Sequence, residues 1–377
     1  MSLQLYHIMQ KNRKISIGSN IIQGPWGGGN QFADSLTKYL ISRDWAVVND
    51  LKEPDIDIIL MTEPRRSSAT SKFNQLHIAW YCLKRPGTIV VHRINECDER
   101  KKTNYVNNYL SRASRVSDFT VFISKFLMDL FTAQGYFSNK RIGYIRNGAD
   151  EKIYNSKEKK YWDGKSIIKI VTHHWAYNYY KGFDVYHKLD ILKKINGFDI
   201  QFTYIGRIHE TEKFENADII EPLYGVDLAQ ELKKHHIYIT GSLNEPAGMH
   251  HIEGAMCGLP LLYRNSGALP EYCNGFGVMF ENKDDVEVNL SILIKNYNDY
   301  VAELKNYPYS AEFMCRNYEE LFNNLLEKKD DTNYLYRRIK FLGIFLYEVF
   351  KQCFEILFLK IIKIKKIKKV FYGKRTF

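Results

Sequence analysis

The sequence predicts an α/β protein made of two doubly wound domains, and three observations support this prediction. The chain has 377 residues, of which 45% are hydrophobic, enough for two ordinary domains with separate cores. Short apolar runs alternate with helical patterns in both halves, which is typical of parallel βαβ units. A polar stretch at residues 155–166, NSKEKKYWDGKS, interrupts the alternation and predicts a linker.

The first half, residues 1–155, is predicted to form one doubly wound domain. A helical pattern, QFADSLTKYLISR, follows the first apolar run, KISIGSNII, across a glycine-rich turn. The further apolar runs DIDIILM, TIVVHRIN and DFTVFIS are short enough for the buried strands of a parallel sheet. Ligands of such sheets bind beyond the carboxyl ends of the strands.

The second half, residues 164–329, repeats the alternation and is predicted to form the second doubly wound domain. Its predicted strands are SIIKIVTHH, DIQFTYIG and IYITGS, and its predicted helices are GFDVYHKLDILKKI and DLAQELKKH. Because the chain contains two such sheets, the cleft between the domains is the expected ligand site.

Charge and cysteine content exclude several classes of protein. The net charge is +11, but twelve Lys or Arg and two acids lie between Tyr336 and Phe377, so the first 335 residues are close to neutral. A nucleic-acid-binding protein usually carries basic residues across a folded face, so we expect no nucleic-acid partner. Six scattered cysteines without a C-x-x-C pair indicate the reduced thiols of a cytoplasmic protein, and the basic start lacks the apolar segment of a signal peptide.

Two strand ends in the first half carry candidate site residues. The turn GPWGGGN includes Gly28 and Gly29, which let the backbone approach a ligand and leave helix N–H groups available to an anion. A plain tight turn explains these glycines equally well. The run IVVHRINE places His92 and Arg93 at the end of a buried strand, although a lone histidine is more often a core or surface residue.

Two basic residues in the second half are candidates for binding phosphate. Lys181 begins a predicted helix, where a lysine can pair with phosphate at the positive helix end. Arg207 follows the next strand and is a second candidate, and either residue could equally be a surface side chain. His173 and His174 suggest metal ligands, but no carboxylate lies at ligand spacing nearby, so we expect no metal site.

The segment NEPAGMHHIEGAMCGLP contains two glutamates around a predicted helix start. Glu245 precedes a helix predicted from about Met249, and Glu253 lies one to two turns inside it. Gly248 lets the loop bring backbone N–H groups to a diphosphate, and a carboxylate is the usual acceptor for paired sugar hydroxyls. The alternative is that Glu245 caps the helix and Glu253 faces solvent. Small residues argue against it, because they indicate a helix packed tightly on a sheet.

Together these motifs resemble glycosyltransferase family 4, whose members are retaining enzymes with the GT-B fold of two Rossmann-like domains. EPAGMHHIEGAMCGLPLLYRNSGALPEY resembles the E-x7-E region of the family, and GGGNQFADSL resembles its N-terminal glycine loop. YIRNGAD, with Asn147, resembles the N-G-V-D motif ahead of the interdomain linker, and KGFDVY resembles the K-G helix start. The resemblance extends over residues 13–328.

The resemblance implies a role for each candidate residue. Glu253 would hold the ribose of a nucleotide, Glu245 would hold hydroxyls of the donor sugar, and His92 would face the transferred sugar. The amides of residues 248–249 would bind the phosphates, which Lys181 would neutralise. Retention in this family is usually ascribed to front-face departure, in which the leaving diphosphate and the acceptor hydroxyl share one face of the sugar. Such a mechanism needs stabilisation of the charge on the leaving group more than it needs a carboxylate base. Lys181 and a helix terminus would supply that stabilisation, so the resemblance implies neither a metal nor another cofactor. The other donor-contacting candidates are Gly28, Gly29, Asn147 and Arg207.

The sequence departs from the family pattern at two places. The family usually has an arginine about five residues before the lysine of K-G, but the stretch HHWAYNYYKG contains none. His174, Trp175 and Arg207 are the alternatives for its role. The usual E-G-F-G is EPAG here, and the usual proline after the glycine turn is replaced near His250 and His251, so the family does not indicate which sugar is transferred.

The C-terminal segment, residues 334–377, is predicted to be a basic amphipathic helical tail. The run FLGIFLYEVFKQCFEILFLKIIKIKKIKKVF is apolar and basic, and Glu348, Lys351 and Lys366 share one side of a helical wheel. The charges disfavour a spanning helix, whereas an apolar face in the headgroup region with lysines on anionic lipid fits an interfacial helix. The alternative is a helix packed on another subunit or back on the N-terminal domain.

These features predict an enzyme that moves a sugar from a nucleotide-sugar donor to a lipid-linked or growing glycan, peripheral on the cytoplasmic face of a bacterial inner membrane. The Lys-, Ile-, Asn- and Tyr-rich composition suggests an AT-rich bacterial genome, and hence synthesis of a surface polysaccharide such as O-antigen or capsule. Two alternatives remain open: a nucleotide-sugar epimerase with a related fold, and a catalytically silent membrane scaffold. The tail argues against the epimerase, and the intact Glu245, Glu253 and Lys181 argue against the scaffold.

Overall fold

A computed structural model describes residues 13–372 except 23, 25, 26, 138–140, 176 and 329–332, and for residues 355–372 it describes the backbone alone. Two parallel sheets with crossover helices make up most of the chain, as the alternation of apolar runs predicts. Their strands are short apolar runs, several of them buried along their whole length, so helices must cover both faces.

The first sheet has the strand order β2-β1-β3-β4-β5-β6, and every pairing in it is parallel. Its strands are β1 (Lys14–Ile17), β2 (Ala46–Val48), β3 (Ile58–Met61), β4 (Ile89–Ile94), β5 (Phe119–Phe122) and β6 (Ile142–Tyr144). The helices of this half are α1 (Gly28–Ser42), α2 (Gln75–Lys84), α3 (Asp98–Lys101), α4 (Val106–Ala113) and α5 (Lys125–Ala133).

The second sheet has the order β10-β9-β7-β11-β12-β13, again parallel, with β8 pairing antiparallel to β9 at one side. Its strands are β7 (Ile168–His174), β8 (Lys194–Ile195), β9 (Phe198–Gly206), β10 (Asp218–Ile220), β11 (Ile237–Thr240), β12 (Leu261–Arg264) and β13 (Gly277–Phe280). The helices are α6 (Phe183–Ile191), α7 (Gly225–Leu232), α8 (His250–Met256), α9 (Leu269–Cys273), α10 (Val286–Lys295), α11 (Tyr297–Glu303), α12 (Ala311–Glu327) and α13 (Tyr334–Tyr372).

One predicted helix is too long at its C-terminal end. The run GFDVYHKLDILKKI is helical only to Ile191, and β8 then forms a hairpin with β9. The turn consists of Asn196 at φ 50° and Gly197 at φ 84°. An Asn-Gly pair adopts these left-handed angles readily, so the local turn chemistry ends the helix before its apolar periodicity does.

The predicted boundary of the second domain at residue 329 does not match the packing. Helix α12 packs on the first sheet, where Met314, Tyr318 and Phe322 share a core with strands β1 and β3. The rings of Phe32 and Tyr318 lie 5.1 Å apart between centroids. The chain therefore returns to the N-terminal domain after building the C-terminal one, which ties the two domains together.

Helix α13 packs back on the N-terminal domain over its first turns, which is one of the two alternatives to membrane binding that the sequence left open. Arg337 forms a two-point ion pair with Asp118, with nitrogen–oxygen distances of 2.5 and 3.0 Å, and Phe341 is fully buried. Glu348, predicted on the polar side of the tail, is instead buried and accepts a hydrogen bond from Gln75 at 3.0 Å.

The outward side of α13 is apolar. Leu335, Ile339, Leu342, Leu346, Phe350 and Phe354 are exposed at three- or four-residue spacing, and the last two are 72% and 70% exposed. Among the described residues, no helix combines the length and the apolar character that crossing a membrane requires. The predicted lysine-rich end of the tail lies outside this description, because the side chains of residues 355–372 and all of residues 373–377 are not described.

Candidate active site

The carboxyl ends of both sheets face a cleft of about 450 Å³. From the N-terminal domain it is lined by the start of α1, the residues after β4, and Asn147. From the C-terminal domain it is lined by the residues after β7, the segment before α7, and the loop that enters α8. The structure brings together most of the predicted site residues here, namely Gly28, Gly29, Asn147, Lys181, Glu245, Gly248, Met249 and Glu253.

Glu245 lies between two cations in this cleft. Its Oε2 is 2.9 Å from Arg100 Nη2 and 3.8 Å from Lys181 Nζ. Arg100 comes from α3 of the N-terminal domain and also donates from Nη1 to the carbonyls of Tyr180 and Leu243, at 2.7 and 3.0 Å. Arg100 therefore holds both loops of the C-terminal domain that flank Glu245.

The electrostatics of this trio favour the charged carboxylate. Burial raises the pKa of Glu245, but Arg100 and Lys181 outweigh it, so the net pKa is lowered. Burial lowers the pKa of Lys181 to about 8, although Glu245 opposes the shift. Lys181 is thus poised to lose its proton only slightly above neutral pH, which makes its charge sensitive to an anionic ligand.

Glu253 is buried inside α8 and pairs with a histidine. Its Oε2 lies 2.7 Å from His173 Nε2 at the end of β7. The other carboxylate oxygen, Oε1, forms no hydrogen bond of ordinary geometry among the described groups; burial and the nearby Glu253 carboxylate together raise the pKa of the Tyr154 hydroxyl. Because a buried carboxylate oxygen normally accepts a hydrogen bond, Oε1 is suited to a hydroxyl of a bound ligand.

The loop between the two glutamates permits no side chain at Gly248. A Cβ there would lie 2.5 Å from His250 Cε1 and 3.1 Å from the carboxyl carbon of Glu245. Across the cleft, a Cβ on Gly28 would lie 2.6 Å from Met249 Cγ. The starts of α1 and α8 therefore approach each other closely, and the missing side chains make that approach possible.

Asn147 connects the two domains beside this approach. Its Oδ1 accepts from Arg93 Nη2 at 2.9 Å, and its Nδ2 donates to the Ala247 carbonyl at 2.9 Å. Its backbone N–H donates to the Tyr272 hydroxyl at 2.8 Å. The amide group of Asn147 thus links β4 to the loop before α8, and its contact with a donor stays a prediction.

His92 is not brought into the cleft. Its ring is fully buried, and Nδ1 lies 2.6 Å from Ser114 Oγ on the opposite side of β4. Successive side chains of a strand point to opposite faces, so the next residue, Arg93, lines the cleft instead. Burial lowers the pKa of Arg93, and a nearby Tyr318 hydroxyl only partly opposes this. The predicted contact of His92 with the sugar therefore has no geometric support.

The structure also distinguishes between the proposed replacements for the missing arginine. Arg207 is exposed and is not part of the cleft lining, and its guanidinium lies 4.8 Å from the ring centroid of Trp175. Trp175 and His174 do line the cleft. His174 Nε2 lies 2.7 Å from the Tyr186 hydroxyl, and burial lowers the pKa of His174 well below its usual value, so it contributes no charge at neutral pH.

The histidines around Glu245 form a neutral cluster. Burial lowers the pKa of His250 far below its usual value and that of His251 to about 4. Neither ring nitrogen of His251 has a hydrogen-bond partner among the described residues. Within the described part of the chain, no group of three or more His, Cys, Asp or Glu side chains could hold a metal ion.

The sequence prediction missed the role of Arg100. The run CDERKK resembles a solvated charged turn, and 144 residues separate Arg100 from its partner Glu245, so no local signal links them. A weaker signal did exist, because α3 follows β4 and the residues after a strand of a parallel sheet are the ones that reach the cleft.

Comparisons with known proteins identify the fold. No protein-family model and no curated protein matches the sequence. Among solved structures, the chain is similar to a glycosyltransferase from Rickettsia africae, with a TM-score of 0.56 and 15% identity over 85% of this chain and 100% of that one. It is also similar to Anabaena HepE in complex with UDP-glucose, with a TM-score of 0.59 and 10% identity over 84% of this chain and 100% of that one.

A third similar structure is sucrose-phosphate synthase from Thermosynechococcus elongatus, with a TM-score of 0.59 and 11% identity over 84% of this chain and 100% of that one. The chain has the GT-B fold of these glycosyltransferases. At such low identity the likeness shows the fold alone.

Proposed function

We propose that this protein is a retaining glycosyltransferase that uses a nucleotide-sugar donor. The observation that carries the proposal is the pair of buried glutamates at the start of α8. Glu245 lies next to both Arg100 and Lys181, and one oxygen of Glu253 forms no hydrogen bond of ordinary geometry. Two carboxylates separated by a glycine loop, with Lys181 beside the first of them, match the chemistry of a donor sugar, a diphosphate and a ribose.

The reaction we propose needs little from the protein beyond positioning and charge. The bond from the sugar carbon to the diphosphate oxygen breaks, and its electron pair stays with the diphosphate. The acceptor hydroxyl forms the new bond on the same face and passes its proton to the departing diphosphate. Lys181 stabilises the charge that develops on the leaving group, and Glu245 accepts hydrogen bonds from the sugar hydroxyls.

A panel of nucleotides tests where the donor binds. We expect one of UDP, GDP, ADP and CMP to raise the melting temperature, because a ligand at about 100 times its dissociation constant adds about 2.7 kcal/mol. UDP is the first choice, since HepE was solved with UDP-glucose. In Glu253→Gln the shift should be largely lost, because the side chain keeps only one acceptor oxygen and no charge for the paired ribose hydroxyls. Glu319→Gln is the control: Glu319 accepts from the Tyr39 hydroxyl far from the cleft.

A thermal shift that survives in Glu253→Gln at all nucleotide concentrations would place the ribose elsewhere. No shift with any nucleotide would oppose the proposal itself, provided that anionic vesicles and a lipid-linked acceptor mixture are also tried.

The pH dependence of nucleotide binding follows from Lys181. Because its pKa is about 8, the ammonium is present below that pH and is lost as pH rises through it. Affinity for the nucleoside diphosphate should therefore be constant from about pH 6.5 to 7.5 and should weaken by up to about tenfold per pH unit above pH 8. Lys181→Arg should remove this dependence, because arginine stays charged. Titration calorimetry from pH 6.5 to 9.5 measures it, and a flat wild-type profile would contradict it.

We further propose a lipid-linked or growing glycan as the acceptor, with the protein on the cytoplasmic face of a bacterial inner membrane during synthesis of a surface polysaccharide. The apolar outward side of α13 supports this, because large exposed side chains in one stripe are typical of an interfacial helix. The residues from 360 to 375 add eight Lys or Arg and no acid, which suits anionic lipid.

Vesicle sedimentation tests the proposed membrane face. The full chain should bind phosphatidylcholine vesicles that contain phosphatidylglycerol and should bind vesicles without it weakly. The double variant Leu346→Glu and Phe350→Glu should bind at least about tenfold more weakly, since it loses apolar insertion and gains repulsion. Val288→Glu is a matched control, because Val288 is 63% exposed on α10. Equal binding by the double variant and the control would refute a role for this face.

A further inference from the structure

Arg93 is a buried cation in the cleft whose charge the protein does not balance. Its side chain is 1% exposed at the end of β4, and its guanidinium lies 3.8 Å from the ring centroid of Phe32. Nη2 donates to Asn147 Oδ1 at 2.9 Å. Nε and Nη1 form no hydrogen bond of ordinary geometry, although the Tyr318 hydroxyl lies nearby, and no carboxylate lies within ion-pair distance of the guanidinium among the described residues.

Two other buried arginines each have a carboxylate partner, which Arg93 lacks, although each of the two also keeps one nitrogen without a hydrogen bond. Arg100 pairs with Glu245 and donates to two carbonyls. Arg264 pairs with Asp184 and donates to the Gly241 carbonyl at 2.9 Å. A buried charge without a carboxylate partner is costly, and an anionic ligand in the cleft would offset that cost.

The position of Arg93 indicates the chemical class of the ligand that would bind it. Asn147 links its guanidinium to the Ala247 carbonyl, one residue before Gly248. The first turn of α1, with Gly28 and without an acidic residue, lines the same cavity. Arg93 therefore lines the same cavity as the N-terminal end of the 15-residue helix α1, and this part of the cavity favours an oxyanion.

We propose that Arg93 binds the departing diphosphate from the N-terminal domain and so fills the role of the arginine that is missing ahead of Lys181. The proposal rests on the proposed transferase function. The other candidates are less suited, because Arg207 lies outside the cleft lining and Arg100 is already engaged by protein acceptors. As the sugar–oxygen bond breaks, Nε and Nη1 donate to the phosphate oxygens that gain charge, while Lys181 acts from the opposite domain.

Calorimetric titration of the full chain with UDP, uridine and inorganic pyrophosphate tests the proposal. In Arg93→Met, affinity for UDP and pyrophosphate should fall about 10- to 100-fold, while affinity for uridine stays unchanged. Arg93→Lys should restore part of the loss. Arg316→Met is the matched control, because Arg316 also stacks on a phenylalanine ring but is exposed on α12.

A stability measurement separates binding from a structural role. Removing an unbalanced buried charge should leave the melting temperature of unliganded Arg93→Met equal or higher. A lower melting temperature with unchanged affinity for UDP would overturn the proposal in favour of a structural role. Binding of pyrophosphate that depends on Arg93, without any binding of UDP or uridine, would retain the anion site and refute the nucleotide donor. Absence of all binding would overturn both.

Discussion

Replacing Glu245 with glutamine is expected to lower the rate of sugar transfer at least about 100-fold while leaving the protein folded. The carboxylate is 5% exposed and lies within 4 Å of both Arg100 and Lys181. A glutamine of the same shape keeps one acceptor oxygen but no charge. The repulsion between the two cations is then no longer offset next to the sugar, and the paired hydroxyls share a single neutral acceptor oxygen.

The measurement is the initial rate of nucleotide release from a nucleotide sugar, together with a melting curve of each variant. Arg100 keeps its hydrogen bonds to the carbonyls of Tyr180 and Leu243, so the loops should stay in place. Glu319→Gln serves again as the control for loss of a partly buried carboxylate. A Glu245→Gln protein that melts normally and turns over at the wild-type rate would remove Glu245 from the site.

Replacing Gly182 with alanine is expected to destabilise the C-terminal domain by about 3 kcal/mol or more. Gly182 has φ 97°, which disfavours any side chain. A Cβ there would also lie 2.5 Å from the Cα of Gly241 and nearer still to its carbonyl group. Because these atoms belong to the backbone after β11, they cannot move aside as a flexible side chain could.

Gly197→Ala separates backbone strain from this steric clash. Gly197 has a similar φ of 84°, but a Cβ there meets nothing within 4 Å, so we expect a loss of only about 1 kcal/mol. Urea unfolding of both variants measures the difference. Gly182→Ala should also weaken nucleotide binding, because Lys181 precedes the displaced residue. Equal losses in the two variants would show that β11 and the start of α6 do not approach as described.

Much of this arrangement was predictable because parallel sheets place their strand ends together. Glu245, Glu253 and Lys181 each follow a strand or enter the next helix, so the topology gathers them in the cleft. The contacts between them were not predictable. The pairing of Glu253 with His173 spans 80 residues, and it depends on how α8 packs on β7.

The sequence did not predict toward which face of the sheet individual side chains point. All six residues of β4 are buried, so the sequence shows no alternation that would distinguish the face of His92 from that of Arg93. The hairpin at Asn196 and Gly197 is different, since its Asn-Gly pair is a recognised turn signal that the helical periodicity obscured. Docking of α13 through Glu348 depends on partners in α2 and α4 that are more than 200 residues away.

Hydrolysis of a nucleotide sugar without acceptor tests the central claim most directly. Proton NMR would follow the sugar released from the donor whose nucleotide stabilises the protein most. We predict slow release, with the anomer of the donor appearing first and with no release by Glu245→Gln. Binding of the donor without any release, or first appearance of the inverted anomer, would contradict a retaining glycosyltransferase.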